Sequence, residues 1–521
     1  MSWETDVIVV GCGIAGGIAA LCLADSGKRV TVLTRSTDPH EANTYYAQGG
    51  IVYRGPGDSP AHLVEDILRA GAYRNNVEAA TLLAEKGPQL VERLLIQRLR
   101  VPFDREDGGY MLIREGSHSI PRILHVADAT GKAIQRALVR EIRRHPNIEV
   151  RPAHTAVDLI LSHVGGEPSL RCTGVWVLDR QKGKVLALRA PYTVLATGGY
   201  AYLYARTTNP PTARGDGIAI AYRSGARCTG LEYVQFHPTA FAQPGAPTFL
   251  ISEAVRGAGA RLVHADGRPF MGKYAPEWKD LAPRDVVARA IFEEMRRHHL
   301  PHVYLDLRSA LPPTEIRRRF PHLYARCLTY GVDITRDLIP VAPAAHYTCG
   351  GVHSDLHGRT DILGLYAIGE VAWTGLHGAN RLASTSLLEG LVWGVQAAQD
   401  IVQASPLEKP PPPLNVAPPQ LHKMPSSAML QEWERRLRQT MWQYVGIVRD
   451  REGLSYARTL LTTLQEEIEA VYRSHAITDA LVGLRNMVQV ALLVVRAAAA
   501  NPFNEGCHYR TDAISTQEHV S

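Results

Sequence analysis

Cysteine is scarce and scattered in this chain. Its seven thiols, Cys12, Cys22, Cys172, Cys228, Cys327, Cys349 and Cys507, include no C-x-x-C pair. That spacing argues against zinc ribbons and iron–sulfur clusters held within the chain, and no metal site is expected. An odd number of separate thiols fits a reducing compartment. Long apolar runs are missing too. The best candidate, residues 488–500, carries Arg496 and falls short of the ~20 residues needed to span a bilayer. No signal peptide is expected, because Glu4 and Asp6 lead straight into a strand. The expectations are therefore cytoplasm and no membrane. The net charge of +6 is spread along the chain rather than clustered. It favours acidic small molecules weakly, and no nucleic-acid partner is expected.

What is present is an ordinary globular composition, 45% hydrophobic and 21% charged over 521 residues, enough for about three domains. The chain opens on Asp6-Val-Ile-Val-Val10, four aliphatic residues with no polar face, as in a buried parallel strand. Gly11-Cys-Gly-Ile-Ala-Gly16 follows, then an Ala/Leu-rich helix over 18–26 and a second strand over 30–33. In this context G-x-G-x-x-G means a nucleotide cofactor: the glycines let the backbone approach a pyrophosphate at a helix N-terminus. The bland alternative is a tight turn between packed elements. No acid closes the second strand, where a ribose ligand is expected; Thr34 and Arg35 stand there. By itself the loop does not choose among NAD, NADP and FAD.

The 41–50 stretch, rich in glycine, amide and hydroxyl groups, suits a loop packed on a flat polar ring, or equally an Ω-loop closed on itself. Helices are expected over 60–71, 76–95 and 132–144. Between them, Arg114-Glu-Gly-Ser-His-Ser119 and Arg122 to Gly131 are dense in ionisable and small residues, as a site lining would be. Hairpin strands are expected over 148–161 and 174–188, the second leading into Tyr192-Thr-Val-Leu-Ala-Thr-Gly-Gly199. Residues 245–340 read as a separate mixed segment. Within it Pro283 reads as the first residue of a helix, placing Arg284 at a positive dipole end that disfavours a cation, a hint of function. The 365–370 strand delivers Glu370 at its C-terminal end, where open α/β sheets bind ligands. A proline-rich linker and a small helical bundle close the chain, with Leu430, Trp433, Leu437, Met441 and Tyr444 at helical spacing.

Taken together, the motifs resemble one family. Gly11 to Gly16, Thr44-Tyr-Tyr-Ala-Gln-Gly-Gly50, Arg114 to Ser119, Gln235-Phe-His-Pro-Thr239, Pro283-Arg-Asp-Val-Val-Ala-Arg289, His346 to Gly351, the 378–389 stretch and Trp442-Gln-Tyr-Val-Gly-Ile-Val-Arg449 are similar to those of L-aspartate oxidases. These belong to the succinate dehydrogenase/fumarate reductase flavoprotein superfamily, and the similarity runs over nearly the whole chain. It implies an α/β fold: a Rossmann-like FAD-binding domain (1–237 and 342–405) with an inserted α+β capping domain (238–341) and a C-terminal helical bundle (428–521) after a linker (406–427).

The resemblance also implies FAD, with Gly11, Cys12, Gly13, Ile14, Ala15 and Gly16 at the pyrophosphate and Arg35 near the adenosine end. Asn43, Thr44, Tyr45, Tyr46, Ala47, Gln48, Gly49 and Gly50 would lie along the flavin. Thr155 and Ala156 would touch the adenine side, and Asp216, Glu370, Ser386 and Leu387 would complete the pocket. Substrate carboxylates would fall to His237, His346 and Arg381, and proton transfer to Arg284, served by a relay of Glu253 and Arg256. A guanidinium is always protonated, which makes Arg284 awkward as a base and easier as an electrostatic and proton-transfer residue.

Two positions discriminate among members. Asn43 stands where succinate dehydrogenases have the histidine that attaches FAD, so FAD is expected to be non-covalent. Glu115 can pair with the α-ammonium that aspartate has and succinate lacks. Ser117, Thr385 and the tail at Asn504-Glu-Gly-Cys-His508 depart from the family pattern. The expected reaction is L-aspartate oxidation to iminoaspartate, with reoxidation by oxygen, giving hydrogen peroxide, or by fumarate, giving succinate. It would be the first step toward quinolinate and NAD, with a functional link to quinolinate synthase. The rivals are a soluble fumarate reductase or succinate dehydrogenase flavoprotein subunit, and a non-catalytic flavin-binding protein.

Overall fold

A computed structural model describes residues 3–163, 169–405, 411–416, 418 and 420–514. Residues 406–410, 417 and 419 of the proline-rich stretch expected at 406–427 lie outside the described residues. At the centre is a five-stranded parallel sheet in the order Leu365–Ala367, Tyr192–Leu195, Val7–Val10, Val30–Leu33, Ile148–Arg151. The first four strands are buried on both faces, which is why they carry no charged residue and Val7–Val10 is wholly aliphatic. From Val7–Val10 the chain winds outward to one side, then returns on the other through Tyr192–Leu195. The crevice at that reversal is where such sheets bind ligands.

The first helix runs Ile14–Asp25, starting four residues earlier than the periodicity indicates. Gly16 and Gly17 lie inside it because the helix packs too tightly for side chains there. A Cβ at Gly16 would come 2.2 Å from the Gly11 carbonyl, and one at Gly17 2.6 Å from Leu138. The 41–50 stretch holds a short helix, Asn43–Tyr46. The helix expected at 76–95 is Val77–Leu90 followed by a π-helical continuation, Val91–Arg98; Pro88, which donates no backbone hydrogen bond, sits just before the change.

The stretch expected as a hairpin is divided instead. Ile148–Arg151 joins the parallel sheet, and His154–His163 starts a separate three-stranded antiparallel sheet with Leu170–Asp179 and Lys184–Arg189. Pro152 and Ala153, the latter at φ +58°, make the break. Gly183, at φ +63°, turns the 174–188 run into two strands.

Strands Val234–Phe241 and Ile339–Thr348 pair antiparallel and extend through Val303–Asp306 to Arg261–Val263. They link two apolar cores. Val234, Phe236 and Ala345 belong to the core shared with the antiparallel sheet and the C-terminal helices. Phe241, Ile339 and Val341 belong to the core around Leu262, Val287 and Ile291. Pro283 (φ −50°, ψ 146°) caps the helix Arg284–Arg297 rather than starting it.

The C-terminal helices Ser427–Tyr444, Arg451–Ser474 and Asp479–Ala500 pack on each other and share that first core. Asp479–Ala500 is long and apolar enough to cross a membrane by length and composition, which the sequence reading missed. In this fold 72% of its apolar window is buried in the bundle. His264, Glu294 and His298 bring ligand-type atoms within 4.8 Å of one another. The Glu294 carboxylate is also held by Lys273, at 3.0 Å, and by Tyr274, so the cluster ties a turn to a helix end outside the pocket lining.

The ionisable density at 122–131 turns out to be largely structural. Arg122 is wholly buried, 3.0 Å from Asp58 and 2.8 Å from Asp66. Asp128 accepts from the backbone N–H groups of His322 and Leu323, capping the helix Pro321–Leu328. Replacing Arg122 by methionine keeps the volume but strands two buried carboxylates. The expected loss is about 3–5 kcal/mol of stability, read by urea unfolding against wild type; a loss under 1 kcal/mol would show that the pair is solvated.

Candidate active site

One continuous pocket runs from the glycine loop to the paired strands. Its first end is built by close backbone approach. Gly11 sits at φ +119°, and a Cβ there would lie 2.1 Å from the Ala196 carbonyl at the sheet reversal. Gly13, Cys12, Ile14 and Ala15 line the pocket beside it. Thr44 Oγ1 accepts from Ile14 N–H at 3.0 Å, fastening the 43–50 loop to the helix start. Burial pushes the Cys12 thiol up to about 12, so it is inert.

Of the expected cofactor residues, Arg35, Asn43, Thr44, Tyr46, Ala47, Gln48, Gly49, Gly50, Thr155, Ala156, Asp216, Glu370, Ser386 and Leu387 also line this pocket. Gly16 and Tyr45 do not. Gly16 is consumed by helix packing, as above. The Tyr45 ring packs edge-on against Tyr46, with Lys132 6.0 Å from its centroid. At the far end Asp479, from the last helix, accepts from Thr155 Oγ1 at 2.8 Å and lies 3.6 Å from Arg35.

Glu370 sits in a single 3-10 turn just after the strand Leu365–Ala367. Asn43 Nδ2 donates to its Oε2 at 3.1 Å and Thr348 N–H to its Oε1 at 3.1 Å. Burial nonetheless holds its pKa above the usual carboxylate range. Asn209 accepts from Asn43 and donates to the His346 carbonyl at 2.6 Å, tying the loop to the strand pair.

At the other end of the pocket the antiparallel strands present His237 and His346 side by side, ring centroids 5.0 Å apart. His237 Nδ1 lies 3.2 Å from the Thr239 N–H and 3.1 Å from the Thr239 carbonyl, so the tautomer sets its role, and Nε2 is buried and unpartnered. His346 Nδ1 meets Thr208 Oγ1 at 2.7 Å. Burial pushes both imidazoles well below their ordinary range, with Arg284 and His346 adding at His237, and Arg381 and Arg284 at His346. Both rings are neutral near pH 7.

Arg381 lies over the Tyr347 ring at 4.2 Å, and its NH1 donates to Ser386 Oγ. Its Nε is buried without a partner, and burial followed by Arg284 lowers its pKa to about 10. Arg284, at the first turn of its helix, donates through Nε to Glu253 Oε2 at 2.5 Å and through NH1 to Gln235 Oε1 at 3.0 Å. Gln235 Nε2 then donates to Asn380 Oδ1 and to the Arg381 carbonyl.

Burial opposes ionisation of Glu253, but Arg284 and Arg256 outweigh it and hold the pKa below the usual range. Glu115, in contrast, is raised, first by burial and then by the charge of Glu253. Arg256 does not reach the pocket: it lies behind Glu253 at 3.6 Å, with NH1 on the Asp280 carbonyl.

The arrangement can hold two carboxylates against cations and neutral imidazole donors, with one acid left over for a third charge. Sequence reasoning passed over Thr208, Asn209, Gln235 as a brace, Ser384 and Asp479. Only Ser384 and Gln235 lay in stretches already singled out; the others sit in ordinary polar turns and a helix start.

Two family models match the chain: the FAD binding domain over residues 6–387 and the fumarate reductase flavoprotein C-terminal region over 434–519. L-aspartate oxidase 1 of Ralstonia nicotianae is 46% identical over 98% of this chain and 96% of its own length. The L-aspartate oxidase of Yersinia pestis is likewise 46% identical over the same shares. Among solved structures, E. coli quinol fumarate reductase FrdA is 26% identical with TM-score 0.88, covering 100% of this chain and 94% of that one. The Mycobacterium smegmatis Sdh1 complex gives 31% and 0.80, over 98% and 89%. The glycine loop, the strand-end Glu370 and the basic pocket end thus stand in a chain that belongs to the L-aspartate oxidase family, within the succinate dehydrogenase/fumarate reductase flavoproteins.

Proposed function

We propose that this protein oxidises L-aspartate to iminoaspartate with FAD, the flavin being reoxidised by oxygen, with release of hydrogen peroxide, or by fumarate, with release of succinate. The reaction opens the route to quinolinate and NAD, with quinolinate synthase as the functional neighbour, and we assign it to the cytoplasm. The observation that carries the reading is Glu115, a buried carboxylate in the same pocket as Arg284, Arg381 and the two imidazoles. A site for dicarboxylates alone gains nothing from an acid there.

The residues fit FAD on structural grounds. The Gly11 turn leaves no room for a side chain, and Gln48 Oε1 is buried without a partner in the loop along the expected flavin. Gly11, Cys12, Gly13, Ile14, Ala15, Thr44 and Glu370 would hold the cofactor. Asn43 offers no imidazole for a covalent link, which fits dissociable FAD. When bound, FAD supplies the hydride acceptor.

The chain's residues then do the rest. Arg381 and the free Nε2 of His237 bind carboxylates, with His346 beside His237. Glu115 pairs with the ammonium. Arg284 is placed to take a proton from the substrate while its own Nε proton passes to Glu253, which its neighbours hold ionised as an acceptor. In the fumarate direction the same path delivers a proton. Arg256 holds Glu253 from behind. Residues 238–341 act as a cap over this end, excluding water so that these charges act at full strength.

Anaerobic L-aspartate is expected to bleach the flavin absorbance of the FAD-loaded protein while succinate alone leaves it unchanged; bleaching by succinate alone, or by neither, rejects the reading. Glu115→Gln should cripple aspartate oxidation and spare much of the fumarate reduction, whereas equal loss of both would show that Glu115 does not read the amino group. The pKa of Glu115 is raised, so it becomes neutral as pH falls through a range above the ordinary carboxylate value. Aspartate affinity should therefore weaken on acidification while succinate affinity holds or rises, measured by ligand titration of the flavin spectrum. Parallel pH profiles for the two ligands would count against this.

A further inference from the structure

Ser384 is an anomaly. It stands at the N-terminal flank of the helix Thr385–Gln403, the position where serine ordinarily caps the helix, yet its side chain makes no cap bond. Its backbone sits at φ +57°, ψ +9°, the left-handed region that residues with a Cβ rarely adopt. The residue is 9% exposed and lines the pocket. A serine that is strained and does not cap is being held for something else.

Its hydroxyl donates to Glu115 Oε2 at 2.6 Å and accepts from Gly50 N–H at 3.3 Å. The Gly50 bond fixes the hydroxyl's lone pair, so its hydrogen is directed at the carboxylate. Oε1 of Glu115 has no hydrogen-bond partner among the described residues. It packs over Gly49, where a Cβ would lie 2.4 Å away. One oxygen is thus tied and the other left free, and Gly49 lacks a side chain where that oxygen needs space.

We propose that Ser384 is a specificity-determining positioning residue: its hydroxyl orients Glu115 so that the carboxylate's free oxygen receives the substrate's α-ammonium. This rests on the reading of the site as an aspartate site. The residue acts through Glu115 and touches neither reacting atom. Its hydrogen bond also favours the ionised form of Glu115, against burial and the neighbouring charge of Glu253 and alongside Arg284, Arg381 and Arg256, the charged groups that act on it.

The test uses Ser384→Ala and Ser384→Gly in the full, FAD-loaded chain, with dissociation constants for L-aspartate and succinate from flavin titration and anaerobic reduction by aspartate. Loss of a hydrogen bond to a charged group should weaken aspartate binding roughly tenfold or more in both variants. Succinate binding should stay within about twofold, the scatter expected of a lost neutral contact. Raising the pH should recover part of the aspartate affinity of Ser384→Ala, because its acid limb moves upward. Glycine suits the left-handed backbone, so Ser384→Gly should unfold no earlier than Ser384→Ala. If Ser384 served only the turn, Ser384→Gly would keep wild-type aspartate affinity, and that result overturns the inference. Equal weakening of both ligands overturns it as well. Wild type that aspartate fails to reduce overturns the functional reading itself, whereas normal wild-type reduction with unselective variants overturns the Ser384 inference alone.

Discussion

The structure depends on keeping three guanidinium groups and two carboxylates out of water at one end of a pocket. Arg284, Arg381 and Arg256 are each under 9% exposed, as are Glu115 and Glu253. Isolated charges would not survive such burial, because desolvation costs far more than any one contact returns. They survive because each is braced. Glu253 lies between Arg284 and Arg256, Gln235 joins Arg284 to the Arg381 backbone, and Tyr347 supports Arg381 from below. The braces come from the cap segment, the paired strands and the segment before the long helix. No single element could supply them.

That need explains the architecture around the site. The pair Val234–Phe241 and Ile339–Thr348 crosses from one apolar core to another, so His237 and His346 sit where the two cores meet. Arg284 begins a helix in the second core and reaches back toward them. Its position at a positive helix end is electrostatically costly in isolation, and the Glu253 contact offsets that cost. The inert end of the pocket is built differently. There the backbone itself, at Gly11 and Ala196, makes the approach, and the last helix contributes Asp479 to close it.

This difference decides what could be read from sequence. Gly11 and Glu370 were legible because their roles follow from local chain geometry: a turn that excludes Cβ, and an acid at a strand's end. The histidines and arginines were legible only as a set, through resemblance, since nothing local distinguishes His237 from His118, whose Nε2 meets the Ala383 carbonyl outside the pocket lining, or Arg381 from the clamped Arg122. Density of ionisable residues misled at 122–131 for this reason; burial of Arg122 with Asp58 and Asp66 uses the same residue types as a site does. Ser384 and Glu115 are 269 residues apart, and their hydrogen bond exists only once the fold is made. The helix Asp479–Ala500 shows the converse: its apolar length carries no information about whether lipid or protein covers it, and packing against its neighbours answers that here.

The charge balance also says why one pocket can handle two kinds of ligand. Both imidazoles are neutral, so within this five-group cluster the three guanidinium groups face Glu253 and Glu115, with Asp280 acting on Arg256 and Glu370 on Arg381 from outside it. Aspartate, with two carboxylates and an ammonium, brings one net negative charge. With both glutamates ionised, the closed centre is then neutral. Succinate or fumarate brings one more negative charge, and neutrality returns if Glu115 takes up a proton. Burial and Glu253 already push it toward that state, while Ser384, Arg284 and Arg381 hold it back. On the proposed reading, the proton that Glu115 carries or lacks would follow the presence of the amino group. An acid with an ordinary pKa would reject the dicarboxylates by repulsion, and a permanently neutral group would not tell aspartate from succinate. The buried glutamate pair, split by its arginines into one firmly ionised and one adjustable member, meets both requirements in a single site.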